Sequence, residues 1–324
     1  MADIVLILGN GFDLDLGLKS EYKDFAESTE WQELYSDYRM RLWNKNANES
    51  LLRKIEQDKY SYWFNLEEII YLFVRERVSS NAEIISQNKT DFNDLREKLK
   101  NYLIRISKEY TTKTDRLSYV LLQSLVSNNN CSKNISSFNY TNCLTLCKLK
   151  DYALRLHNKN PEDIEYTHIH GSLDEGIVLG CEVYDGNKIN KDYSFLYKYN
   201  MLKKPNRIVK NLLEAKEVIF YGHSINEMDF CYFRDYFKTM STTDGRDKNL
   251  TIICKDEKSE INIKDNIRSQ GIIVTDLYNN LNIIDFFHTD LIYNNGNEAI
   301  KWNEFIDRIR RVTTRSRGVN NRQY

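Results

Sequence analysis

The 324-residue chain reads as an α/β protein, a parallel sheet flanked by helices with a large helical insertion after the first strand. Three observations carry this expectation. Ile4–Leu8 is an uninterrupted aliphatic run, short enough for a strand buried on both faces. Between residues 20 and 130 apolar residues recur at helical spacing, as in Leu95, Leu99, Tyr102 and Ile106. From residue 131 onward short apolar runs alternate with helix-compatible stretches, the order that builds a parallel sheet with ligands outside the carboxyl ends of its strands.

Composition narrows the class. With 41% hydrophobic and 29% charged residues the chain has the balance of an ordinary globular protein rather than a disordered or membrane-embedded one. A formal net charge of -1 supplies no global attraction to nucleic acid or to an anionic membrane, so neither is expected as a partner. No apolar run approaches the ~18 residues of a membrane span and the amino terminus enters a strand directly, so the expected location is the cytoplasm. The 6 cysteines are scattered, which suits reduced thiols. Cys143 and Cys147 form the only near pair, short of the four ligands of a structural zinc site, and no metal is expected.

The first strand runs straight into Gly9-Asn10-Gly11-Phe12-Asp13. A strand followed by Gly-x-Gly leaves bare N–H groups where a pyrophosphate can approach, because no Cβ intervenes. The third small residue of the dinucleotide fingerprint is replaced by Leu14. Asn10 and Asp13 are placed to reach ribose hydroxyls, and Asp13 equally to cap the following helix. Ser20 is the expected N-cap of the next helix. Within the insertion, Glu67 and Glu68 sit in a helical stretch otherwise lined with Trp63, Phe64, Leu66, Ile69 and Ile70, either facing a cleft or facing solvent. Asn128-Asn129-Asn130 closes the insertion as a loop.

Further strands are expected at residues 134–138, 166–169, 177–179, 217–221, 250–254 and 272–275, and helices over 144–158, 195–213, 229–240 and 258–269. Three of the strands end in polar motifs. In Ser137-Phe138-Asn139-Tyr140-Thr141-Asn142, Asn139 carries an amide that can hold a sugar hydroxyl and a water together, or simply make a turn. In His168-Ile169-His170, residues two apart share a strand face, and His170, nearer the loop, suits a general base. His168 reads as a buried, hydrogen-bonded residue. Gly222-His223-Ser224 through Asp229 repeats the order of strand, Gly and helix start, with Ser224 and Asp229 as ligand contacts or caps. The tail from Phe305 carries Arg308, Arg310, Arg311, Arg315, Arg317 and Arg322, a solvated helix end or a nucleic-acid contact.

Taken in order, Gly-Asn-Gly-Phe-Asp with Leu-Gly-Leu, Trp-x-x-Leu-Glu, Phe-Asn-Tyr-Thr, His-Ile-His-Gly and Gly-His-Ser-x-Asn-x-x-Asp resemble the AbiH family of bacterial abortive-infection proteins and, more distantly, sirtuin-type NAD-binding domains. The resemblance implies a Rossmann-like (sirtuin-like) core over 1–19 and 131–290, a helical insertion over 20–130, and a C-terminal helix with a basic tail over 291–324. It implies an anti-phage effector that cleaves NAD as substrate, an NAD glycohydrolase (hydrolase). By the sirtuin likeness His170 is the base and Asn139 its catalytic partner at the nicotinamide ribose. Gly9, Asn10, Gly11, Phe12, Asp13, Thr141, Gly222, Ser224 and Asp229 form the NAD-binding set. Thr141 stands where sirtuins carry Asp, which favours the alternative of a module that senses NAD or ADP-ribose without cleaving it. A nucleic-acid-targeting effector working through the arginine tail is the other alternative. A phage-derived trigger and a homo-oligomer are implied partners.

Overall fold

The structure, a computed structural model, describes residues 2–41, 50–58, 65–76, 79–150, 164–182, 190–242 and 245–313. Its centre is a six-stranded sheet built from β1 (Ile4–Leu8), β2 (Lys133–Ser137), β3 (Ile164–His168), β6 (Glu217–Tyr221), β7 (Gly245–Cys254) and β8 (Leu281–His288). Two short strands, β4 (Gly171–Ser172) and β5 (Gly176–Ile177), pair antiparallel outside it. The order is β3-β2-β1-β6-β7-β8 and every pair is parallel, the Rossmann arrangement. The strand order runs outward in opposite directions from β1 and β6, so a crevice opens at their carboxyl ends.

β1 is central because its sequence permits nothing else. All five of its side chains are fully buried, Ile4, Leu6 and Leu8 in one apolar cluster and Val5 and Ile7 in the cluster on the opposite face. Each such side chain contributes roughly 1.5–3 kcal/mol of burial. Register then sets the site. Leu8 lies opposite Ser137 and Tyr221, and Ser137 opposite His168, so four strands finish level and their polar motifs leave the sheet in one row.

Between β1 and β2 lie the helices Tyr22–Ala26, Thr29–Arg41, Leu51–Asp58, Leu66–Glu76, Ala82–Glu109 and Leu117–Ser127. Most of their apolar faces form a separate cluster around Phe25, Trp31, Ile70, Phe92 and Leu99, which also takes Leu179, Tyr193 and Tyr197. The helix Gly296–Arg311 instead packs Trp302, Phe305 and Ile309 on the β1 face that holds Leu6. Asn128, in the loop after the last of the six helices, donates to the Ile309 and Val312 carbonyls and ties that end down.

Several expectations are corrected. The N-cap at residue 22 is Glu21, whose N–H donates to Asp24, while the Ser20 hydroxyl instead donates to Asn10 Oδ1 at 2.5 Å. Residues 272–275 are not a strand; Ile273 is exposed and Val274 opens the helix Val274–Asn280. The sixth strand is β8, hidden in the sequence because Asn282 and Asp285 interrupt its apolar run at the sheet edge. Residues 195–213 are not one helix: 3-10 turns at Lys191–Leu196 and Lys198–Asn200 precede the helix Ile208–Glu214, since Pro205 cannot continue a helix. Over 144–158 the helix described is only Cys143–Leu146, and 151–163 lie outside the described residues. Trp63, Phe64, Arg315, Arg317 and Arg322 also lie outside them. Arg308 is no solvated tail residue, because it donates to Asp285 and Thr251.

Candidate functional site

The crevice holds a cleft of about 430 Å³, a size suited to a small-molecule ligand. Its floor is backbone against backbone. A Cβ on Gly9 would stand 2.5 Å from the Gly222 carbonyl oxygen, and one on Gly11 would stand 2.6 Å from Gly222 Cα. Gly222 itself has φ of 62°. The glycines of the two turns are therefore required by each other, whatever else they approach. Gly11 lies against Gly222 rather than in this cleft, and Phe12 is fully buried with its ring edge-on to Tyr221. Neither is placed to touch a ligand here, because the first turn of Asn10–Leu16 aims Phe12 into the core.

One wall is ionic. Asp229, 6% exposed, sets Oδ1 at 3.1 Å from His170 Nε2 and at 3.3 Å from the Lys198 ammonium. Lys198, 1% exposed, also donates to Glu67 at 2.9 Å, and its Nζ lies 3.4 Å from His170 Nε2. Burial opposes the Asp229 charge, but Lys198, His170 and His223 more than reverse that and hold its carboxyl far below the usual range. Burial likewise opposes the Lys198 charge, and Glu67 and Asp229 outweigh it, so the ammonium stays protonated. An ionised Asp229 takes the hydrogen bond from His170 Nε2–H, leaving Nδ1 as the nitrogen able to accept a proton.

His223 completes the wall in another state. Its Nδ1 accepts from the Ile225 N–H at 2.9 Å, so the neutral ring carries its proton on Nε2, 3.8 Å from Asp229 Oδ2. Burial pushes its pKa down to about 4. Ile225 holds φ at 50°, a strained value for a β-branched residue costing roughly 1–3 kcal/mol, and full burial of its side chain keeps it there. The Phe138 ring lies edge-on between His170 at 5.1 Å and His223 at 4.5 Å.

Asp13 also lines the cleft. Its Oδ2 accepts from the Thr141 hydroxyl at 2.5 Å, while Oδ1 has no hydrogen-bond partner among the described residues. Burial raises its pKa to about 6 against the opposing Thr141 hydroxyl and the nearby Asn139 amide. Asn139 commits its amide to the Gly9 carbonyl at 3.0 Å, and its backbone carbonyl accepts from His168 Nδ1–H at 3.0 Å. It thereby ties the ends of β1, β2 and β3 together. Burial lowers the pKa of His168.

Of the residues singled out in the sequence, Gly9, Asn10, Asp13, Asn139, Thr141 and His170 line the cleft, joined by Gly222, Ser224 and Asp229. Ser224 is exposed and accepts from Asn226 rather than capping a helix. His168 and His170 do not share surroundings, because β3 ends at His168 and His170 lies past it. Glu67 is buried on Lys198, whereas Glu68 faces solvent. Lys198 and His223 went unrecognised as site residues. His223 stood inside a quoted motif, but nothing around Lys198 in the sequence signals its role.

A family model described as bacteriophage abortive infection AbiH matches residues 5–247, a span that includes every cleft residue named above. No curated protein matches the chain.

Proposed function

This chain belongs to the AbiH family and so to phage abortive-infection defence, and we propose that it serves that defence as an NAD glycohydrolase. What supports the reading is one juxtaposition, an imidazole paired to a buried carboxylate inside a cleft at the topological switch point of a Rossmann-ordered sheet.

The bond from C1′ to nicotinamide breaks with its electron pair passing to the ring nitrogen, which loses its positive charge. The leaving group is then neutral and needs no acid. The oxygen of a water bonds to C1′, and that water's proton passes to His170. Asp229 orients the ring through Nε2 and stabilises the imidazolium, while Asn139 keeps the strand-end turns in place around the sugar. The oxocarbenium-like character at C1′ is favoured by the carboxylates of the cleft.

The purified protein incubated with NAD is expected to release free nicotinamide, and His170→Ala to release it roughly 10²- to 10⁴-fold more slowly. Wild type that releases none, alone and in extract from phage-infected cells, overturns the reading. NAD binding without release would identify a sensing module instead, which the Asn139 amide committed to Gly9 and Thr141 committed to Asp13 would then explain.

A further inference from the structure

Of the carboxylates near the ends of β1 and β6, Asp13 keeps one buried oxygen with no hydrogen-bond partner among the described residues. Asp15 accepts from the Ser118 N–H, the Tyr221 hydroxyl and the Tyr293 hydroxyl. Asp229 is surrounded by Lys198, His170 and His223. Asp13 has Thr141 on Oδ2 and the Asn139 amide nearby, and its Oδ1 has no hydrogen-bond partner among the described residues, although the residue is 1% exposed and lines the cleft.

A buried carboxylate offers about four lone-pair positions, and one left empty at a cleft wall is a position where a ligand can donate. The neighbouring acceptor gives no substitute. Asn10 Oδ1 already takes the Ser20 hydroxyl. The donor that fits a position on an oxygen this buried must be small. A sugar hydroxyl meets that description.

We propose that Asp13 Oδ1, with Oδ2 anchored by Thr141, accepts a hydrogen bond from the 2′-hydroxyl of the ribose whose glycosidic bond is cut, making the cleft selective for ribosyl over 2′-deoxyribosyl ligands. This rests on the NAD reading for the identity of the ligand. Asp13 is thereby the specificity-determining residue of the cleft that His170 also lines. A hydroxyl in that bond also carries electron density toward C1′ as positive charge develops there.

Calorimetry in a His170→Ala background, where ligand persists, compares NAD with NAD bearing a 2′-deoxyribose on the nicotinamide side. A preference of roughly 10- to 100-fold for NAD is expected, the strength of a hydrogen bond to a charged acceptor. Asp13→Ala is expected to abolish that preference, and the near-isosteric Asp13→Asn, which retains an acceptor for Thr141, to reduce it at least about threefold. Equal binding of the two ligands overturns the proposal, as does a preference that survives both substitutions. If wild type releases no nicotinamide but the Asp13-dependent preference is found, the hydrolase reading falls and the ribose contact stands. If nicotinamide is released with no preference, the hydrolase reading stands and the ribose contact falls. Absence of NAD binding overturns both.

Discussion

Asp229 and Asp13 line one cleft, and the protein treats them oppositely. Asp229 is ringed by a lysine and two imidazoles and stays ionised in spite of burial. Asp13 has only the neutral Thr141 hydroxyl and the Asn139 amide near it, and burial outweighs both and raises its pKa to about 6. Two carboxyl groups with environments that push their proton affinities apart are suited to two different tasks. Asp229 holds other protein groups in place. Asp13 keeps an oxygen with no hydrogen-bond partner among the described residues.

The largest effect that would break this contrast is on turnover. His170→Ala removes the group that Asp229 positions, and nicotinamide release is expected to fall roughly 10²- to 10⁴-fold while NAD affinity, read by calorimetry, stays near wild type. Asp229→Asn acts on stability as well. It leaves Lys198 with only Glu67 as a buried counter-charge, and denaturant titration is expected to show a loss of about 3–5 kcal/mol.

Asp13→Asn should act in the opposite sense. A carboxyl whose folded pKa is raised to about 6 costs stability once both states are ionised, about 3 kcal/mol above pH 6, and the cost disappears as pH falls toward 3.8. The variant is expected to be more stable than wild type by up to that amount at pH 8 and equal to it near pH 4. His223 has the reverse slope. Its folded pKa, lowered to about 4, makes wild type lose about 3 kcal/mol as pH falls from 6.5 to 4. The two slopes nearly cancel. Asp13→Asn is therefore expected to be acid-sensitive and His223→Asn, which keeps an acceptor for the Ile225 N–H, acid-stabilised, both read as midpoints of urea unfolding across that window.

The smallest contrast separates adjacent residues of one helix. Glu67→Gln weakens a charge-assisted hydrogen bond to buried Lys198 and is expected to cost about 1.5–3 kcal/mol, while Glu68→Gln should stay within about 0.5 kcal/mol of wild type.

The parallel sheet, the strand-end motifs and the helices after β1 were legible in the sequence because each depends on local periodicity or on glycine at a turn. His170 and Asp229 were visible for the same reason, as polar residues just beyond apolar runs. Their pairing was not. Lys198 sits in Tyr197-Lys198-Tyr199, where nothing distinguishes a buried cation from an exposed one until Glu67, 131 positions away, is folded against it. β8 was missed because an edge strand tolerates Asn282 and Asp285. Gly9 and Gly11 teach something different. The turn reading and the phosphate reading both demand glycine there, and only the coordinates of Gly222 show which neighbour occupies the missing Cβ positions.

That interlock has a mechanical consequence. With no side chain between them, the first turn of the polypeptide and the one that follows residue 221 behave as a keystone joint, two pieces of main chain that can neither slide nor part without losing van der Waals contact along their whole seam. The helices of residues 22–109, which bring Glu67, Leu99 and Leu103 to the cleft, have no such seam with the two turns among the described residues, and the Glu67 to Lys198 bond is a stitch that ties them to the ionic wall.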